Sequence, residues 1–219
     1  MENTEPTDKS LSQAQPARRP RWAQLLSDFF SPLLIPTYAT ALAMWVTPLR
    51  SVPESNRLIV TILVGVITGL IPLLAIAVLI RTGKVSDRAL SRRDQRAMPM
   101  VIGVACYFGA ALFVGSLGAP LWLRMFFWGA GVATIIAMLI TFKWKISAHT
   151  TAIGGLVGMM MWFATSGLAD VNVMIMLSVG IVLAGAMASA RLALNRHTLA
   201  QTLAGLALGF ACCFTAMSI

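Results

Sequence analysis

The chain contains two histidines, His149 and His197, and each stands in a stretch whose residue types suit phosphoryl chemistry. His149 lies in KWKISAHTT and His197 lies in ARLALNRHTLAQ, so each follows basic and polar residues and opens a hydrophobic segment. One imidazole can attack phosphorus, a second can protonate the leaving oxygen, and nearby cations can stabilise the equatorial phosphate oxygens. The two stretches together therefore predict a site for phosphoryl transfer.

Both histidines also begin predicted helices, whose free N–H groups and positive dipole ends favour an anion. Ser147, two residues before His149, suits either an N-cap or a donor to a phosphate oxygen, and both roles stay open. Cations at helix ends are commonly interfacial, which is the favoured interpretation for Lys143 and Arg196. For Lys145, Arg191 and the two histidines, the shared setting favours a functional site.

The elements that must position these residues are transmembrane helices. Hydrophobic residues make up 58% of the chain and charged residues only 11%, a balance typical of an integral membrane protein. The composition predicts an all-α, polytopic transmembrane helix bundle with six to seven spans, because several stretches approach the roughly 20 apolar residues a span needs. The seven candidate segments are 29–49, 58–80, 97–118, 125–142, 150–169, 171–190 and 198–219.

The first 27 residues are polar and contain three prolines, and no continuous apolar stretch resembles a signal peptide. We expect residues 1–27 to be a disordered basic tail and residues 28–219 to be a single transmembrane domain. Arg18, Arg19, Arg21 and Trp22 suit the headgroup boundary of a membrane.

The basic residues are distributed unequally between the two predicted membrane sides. With seven spans, 14 of the 17 Lys and Arg residues share the side of the N-terminal tail, and only Arg50, Arg57 and Arg124 lie opposite. This places the N-terminus in the cytoplasm by the positive-inside rule. The net charge of +9 then predicts contact with anionic lipid headgroups, and no soluble domain or aromatic platform points to nucleic acid.

Other residue classes limit the chemistry and predict the packing. The eight acids are scattered, and no pair forms a convincing divalent-metal site, so we expect metal-independent chemistry without a cofactor. The three cysteines all lie in apolar segments, where they suit packing. Glycine pairs at four-residue spacing predict close helix approach, and they are Gly65 with Gly69, Gly154 with Gly158 and Gly205 with Gly209.

The stretch ARLALNRHTLAQ resembles the third signature of the type 2 phosphatidic acid phosphatase superfamily, which reads Ser-Arg, five residues, His, three residues, Asp. Arg191 and His197 match that signature in identity and spacing. Ala190 stands where the signature has serine, and Gln201 stands where it has aspartate. A glutamine carbonyl can orient the imidazole but supplies no charge.

Two further stretches extend the resemblance. KISAHT is similar to the second signature, Pro-Ser-Gly-His, through Ser147 and His149, and RRDQRAMP is similar to the first, Lys, six residues, Arg-Pro, through Arg93, Arg96 and Pro99. The resemblance implies that His197 is the nucleophile and His149 the general acid, with Gln201 beside the nucleophile. It implies phosphate contacts from Arg191, Ser147, Lys145, Arg96 and Arg93.

The resemblance implies a phosphatase that hydrolyses a lipid phosphate or isoprenyl pyrophosphate through a phosphohistidine. The alternative is a non-catalytic phospholipid-binding or lipid-transport protein on the same bundle, which Gln201 and the incomplete first signature favour. The resemblance also implies a bacterial inner membrane, where such sites commonly face the periplasm. Charge counting places the same site on the cytoplasmic side, so both orientations stay open.

Overall fold

The structure is a computed structural model that describes residues 20–83, 97–169 and 172–219. These residues form helices and no strand, so the all-α prediction is confirmed for them. The helices are α1 (Arg21–Phe29), α2 (Ile35–Val46), α3 (Glu54–Gly65), α4 (Ile71–Arg81), α5 (Ala97–Ser116), α6 (Leu121–Thr141), α7 (Ala148–Ser166), α8 (Val173–Ala193) and α9 (Leu199–Met217).

Five helical stretches of the described chain are long and apolar enough to cross a membrane, which confirms an integral membrane protein. They are Glu54–Arg81, Ala97–Ser116, Leu121–Thr141, Val173–Ala193 and Leu199–Met217. The first combines α3 and α4 through a π-helical turn at Val66–Leu70. Pro72 lies two residues after this turn, and proline has no N–H and crowds the carbonyl one turn earlier, which favours such a local widening.

The helix α7 is not among the five spanning candidates although it has 19 residues. His149, Thr150, Thr151 and several glycines lower its hydropathy, and ten of its residues are buried. It packs against α9, α8, α6 and α2, so it is a central helix surrounded by the rest of the bundle. A central helix needs small residues for close contact more than it needs an apolar surface.

The helices α7 and α9 pack in parallel through their glycines. A Cβ at Gly205 would lie 2.8 Å from the Ser147 carbonyl oxygen, and one at Gly158 would lie 2.7 Å from the Phe210 carbonyl oxygen. Because contacts advance in the same direction along both helices, their N-terminal ends lie at the same end of the bundle. The close approach predicted from the glycine pairs is confirmed, and it brings the two histidine stretches together.

Residues 21–27, expected to belong to a disordered tail, instead form most of α1, which corrects that boundary for the described residues. Ala23 and Ser27 are one helical turn apart and are buried against the end of α8. The opposite face exposes Trp22, Leu25 and Phe29. This distribution is typical of an amphipathic helix lying in the membrane interface.

Candidate functional site

A cavity of about 490 Å³ extends from α1, the first turn of α7 and the loop before α9 into the bundle. Its polar end is lined by Gln24, Ser27, Asp28, Ser31, His149, Arg191, Arg196 and His197. The structure therefore brings the two histidines and Arg191 to one cavity, although they are distant in the sequence. The arrangement places two imidazoles and two guanidinium groups along one cavity, and these groups are suited to contact an anion.

His197 lies between α8 and α9, and the local backbone explains its position. Asn195 adopts a left-handed conformation with φ of 52°, which ends α8, and Thr198 caps α9. The Nδ1–H of His197 donates to the Lys145 carbonyl oxygen at 3.2 Å. Since a carbonyl only accepts, this contact requires a proton on Nδ1, and in the neutral imidazole the lone pair is then on Nε2, the nitrogen suited to attack.

The loop that supplies the Lys145 carbonyl is anchored to both central helices. The Ser147 N–H donates to the Gln201 carbonyl oxygen at 3.4 Å, and the Ser147 hydroxyl oxygen accepts from the Thr150 N–H at 3.4 Å. Ser147 is fully buried as the N-cap of α7. Of the two roles open for it, the structure shows capping, and Ser147 is not among the residues that line the cavity.

Ser27 connects the two other principal site residues. The His149 Nε2–H donates to the Ser27 carbonyl oxygen at 3.2 Å, and Arg191 Nη1 donates to the Ser27 hydroxyl at 3.3 Å. Sequence reasoning missed Ser27 because the chain separates it from both partners by more than a hundred residues. The available signal was the spacing of the small residues Ala23 and Ser27 on one face of an amphipathic stretch.

Gln201 has a different role from the one expected. Its side-chain oxygen accepts from the Thr198 N–H at 3.1 Å, and its own N–H donates to the Thr198 hydroxyl at 3.4 Å, forming a capping box. In the structure this oxygen is bound at the start of α9. The Lys145 backbone carbonyl contacts the imidazole in its place.

The remaining predicted phosphate contacts have mixed outcomes. Lys145 contributes its backbone carbonyl, and its side chain does not line the cavity. Arg93 and Arg96 lie outside the described residues, while Pro99 of the same stretch lines the cavity. Arg196, interpreted from sequence as an interfacial cation, also lines it.

Within the described part of the chain, no three His, Cys, Asp or Glu side chains lie together as a metal site would need. No family model, curated protein or solved structure matches this chain, so none indicates a cofactor or a substrate. The chemistry of the site therefore has to be argued from its residues.

Replacing Gln201 with alanine is expected to weaken the start of α9 and to leave the His197 contact intact. Loss of the capping box should cost about 1 kcal/mol of stability. Any activity of the site should change by only a few-fold, since the Lys145 carbonyl still holds the imidazole. Thermal unfolding and turnover of the purified variant check this, and a loss above a hundredfold in a folded protein would restore Gln201 as the orienting group.

Proposed function

We propose that this protein is a membrane phosphatase that hydrolyses a lipid phosphate or isoprenyl pyrophosphate through a phosphohistidine at His197. The observation that carries the proposal is the shared cavity, which has His149, His197, Arg191 and Arg196 at its polar end and an apolar interior. A phosphate at the polar end would meet the groups that phosphoryl transfer needs. Its hydrocarbon part would occupy the interior.

In the proposed reaction, His197 Nε2 attacks phosphorus, and the bond between phosphorus and the leaving oxygen breaks. His149 donates a proton to that oxygen, so the product leaves as an alcohol or a phosphate. Water then attacks the phosphohistidine with His149 as the base, which releases inorganic phosphate and restores both imidazoles. Arg191 and Arg196 hold the equatorial oxygens, where negative charge accumulates.

The N-terminal end of α7 supports the same anion. Ala148 and His149 of its first turn line the cavity, so the positive dipole end of α7 lies at the polar end. This contribution adds to the guanidinium groups without requiring further charged side chains. The parallel packing of α7 and α9 brings His197 to the same end of the cavity.

A second candidate function is phospholipid binding without turnover, and Ser27 favours it. In the structure the His149 Nε2–H and Arg191 Nη1 are both bonded to Ser27, so a phosphate would compete with α1 for these two donors. His197 is also oriented by a neutral carbonyl and not by a carboxylate. A neutral partner stabilises an imidazolium less than a carboxylate does.

Turnover on a lipid panel separates the two candidates. Purified protein in detergent, with a chelator present, is incubated with phosphatidate, lysophosphatidate, and isoprenyl phosphates and pyrophosphates. The phosphatase proposal expects inorganic phosphate from at least one of them. Saturable binding without phosphate release across the panel would contradict it and support the binding protein.

The number of membrane crossings and their orientation are part of this proposal. We place seven crossings in α2, the α3–α4 stretch, α5, α6, α7, α8 and α9, with the N-terminus and the site on the cytoplasmic side. The 19 residues of α7 span about 28 Å, close to a hydrocarbon core of about 30 Å. In a variant without native cysteines, Glu54→Cys should react with an impermeant thiol reagent in intact cells and Lys143→Cys should not; the reverse pattern overturns the orientation.

A further inference from the structure

Both imidazoles of the site are held by main-chain carbonyls from outside their own helices. His197 donates to the Lys145 carbonyl in the loop before α7, and His149 donates to the Ser27 carbonyl in α1. The Lys145 loop is bonded to the central helix α9 through the Ser147 N–H. The helix α1 packs mainly against the end of α8, so its contact with His149 can be perturbed without altering the central helices.

A main-chain carbonyl is suited to orient an acid. It only accepts, so the Ser27 contact requires a proton on Nε2 of His149 and limits the orientation of the ring. In the imidazolium form the second proton is on Nδ1, and this is the proton that would pass to the leaving oxygen in the proposed reaction. The transfer leaves the neutral ring with its proton on Nε2, which is the form that the Ser27 carbonyl binds.

The hydroxyl of Ser27 contacts a second residue of the site. Arg191 Nη1 donates to it at 3.3 Å. Because the five donors of a guanidinium lie in one rigid plane, a contact at Nη1 limits the orientation of the whole group. Ser27 is itself buried and lines the cavity. One residue of α1 therefore contacts both the proposed acid and a proposed phosphate-binding cation.

The contacts that hold α1 in place lie on both sides of Ser27. Ala23, one helical turn earlier, is fully buried in an apolar cluster with Ala190 and Leu194 at the end of α8. At the other end of α1, the Tyr38 hydroxyl of α2 donates to the Phe29 carbonyl oxygen at 2.9 Å. Ala23 does not line the cavity, so it offers a way to displace α1 without changing a site residue.

We infer that Ser27 is a positioning residue, whose carbonyl orients His149 as the acid and whose hydroxyl orients Arg191 toward the phosphate. The inference rests on the proposed function for the reaction, and it makes α1 a part of the site. It also has a definite sign. If the Ser27 contacts position the two side chains, displacing α1 weakens the site, whereas contacts that only compete with phosphate would weaken it when α1 is in place.

The test displaces α1 with Ala23→Gln, because a long polar side chain at this fully buried position overfills the contact with α8. The matched control is Leu25→Gln, which places the same side chain on the exposed face of α1. A third variant, Ser27→Ala, removes the hydroxyl and keeps the carbonyl. Thermal unfolding of all three verifies that the bundle folds.

First-turnover release of the leaving group is measured on the best lipid phosphate and on p-nitrophenyl phosphate. Ser27→Ala should lower release from both by about tenfold, the effect of one hydrogen bond to a charged group. Ala23→Gln should lower release from the lipid phosphate by about tenfold more than release from p-nitrophenyl phosphate, because only the lipid alkoxide needs the His149 proton. Leu25→Gln should match wild type on both. An equal loss on both substrates in Ala23→Gln would be a purely structural effect and would overturn the orientation of the acid by Ser27.

Equilibrium binding of the same lipid phosphate separates this inference from the proposed function. Weaker binding in Ser27→Ala and Ala23→Gln, with no phosphate released by wild type, supports the positioning role of Ser27 and contradicts the phosphatase. Tighter binding in these two variants overturns the positioning role, whether or not phosphate is released. Wild-type binding and turnover in both variants overturns it as well.

Discussion

Replacing His197 with alanine is expected to lower phosphate release by about a thousandfold or more, because the variant has no nitrogen to form the covalent intermediate. The side chain lines the cavity, and its Nδ1–H donates to the Lys145 carbonyl, which leaves Nε2 as the attacking atom. The measurement is initial-rate phosphate release from the best substrate of the lipid panel. Binding of that substrate should fall much less than turnover.

The control for this prediction is His197→Asn. The asparagine amide nitrogen can donate to the Lys145 carbonyl in place of Nδ1, so the loop and the start of α9 keep their contact. The asparagine variant should unfold at nearly the wild-type temperature and still be inactive. Activity within a few-fold of wild type in either variant would remove His197 as the nucleophile.

Replacing His149 with alanine is expected to lower turnover by about 10²- to 10⁴-fold on a lipid phosphate, because the leaving alkoxide loses its proton donor. First-turnover release of the leaving group should slow much less on p-nitrophenyl phosphate, whose leaving group departs without protonation. Later turnovers should slow on both substrates, because His149 is also the base for hydrolysis of the phosphohistidine. Comparing first-turnover release of the leaving group from the two substrates in wild type and variant checks the acid role. A purely structural role for His149 predicts the same loss on both.

His149→Gln is the matched control because His149 also holds α1. Its Nε2–H donates to the Ser27 carbonyl, and a glutamine amide can supply a similar donor without a transferable proton. The glutamine variant should keep the stability of wild type and show the same dependence on the leaving group as alanine. A glutamine variant with full activity on the lipid would contradict acid catalysis by His149.

The sequence predicted the helical membrane class and the packing that assembles the site. Glycines at four-residue spacing lie on one face of a helix, and this can be read from the local sequence alone. The glycine pairs in α7 and α9 do form the close parallel contact. That contact is why His149 and His197 line one cavity. The span count was less predictable, because the central position of α7 depends on neighbours that periodicity does not reveal.

Two differences between the predicted site and the structure have specific physical causes. Ser27 was assigned to a disordered tail because local sequence does not show what orders α1. The helix is ordered by packing on α8, a contact between distant parts of the chain. Gln201 was interpreted only through the carboxylate that the resemblance implies at its position. The local pattern Thr198, two residues, Gln201 is a capping box, and this signal was readable from the sequence.

The central claim is a phosphohistidine at His197, and trapping this intermediate by rapid denaturation in alkali tests it most directly. Purified protein is mixed with substrate carrying a radiolabelled phosphate, denatured in alkali within the first turnover, and digested. The account predicts an alkali-stable, acid-labile label on the peptide that contains His197, with no label in His197→Ala. Hydrolysis that leaves no label on wild-type protein, or an equal label on the alanine variant, would contradict it.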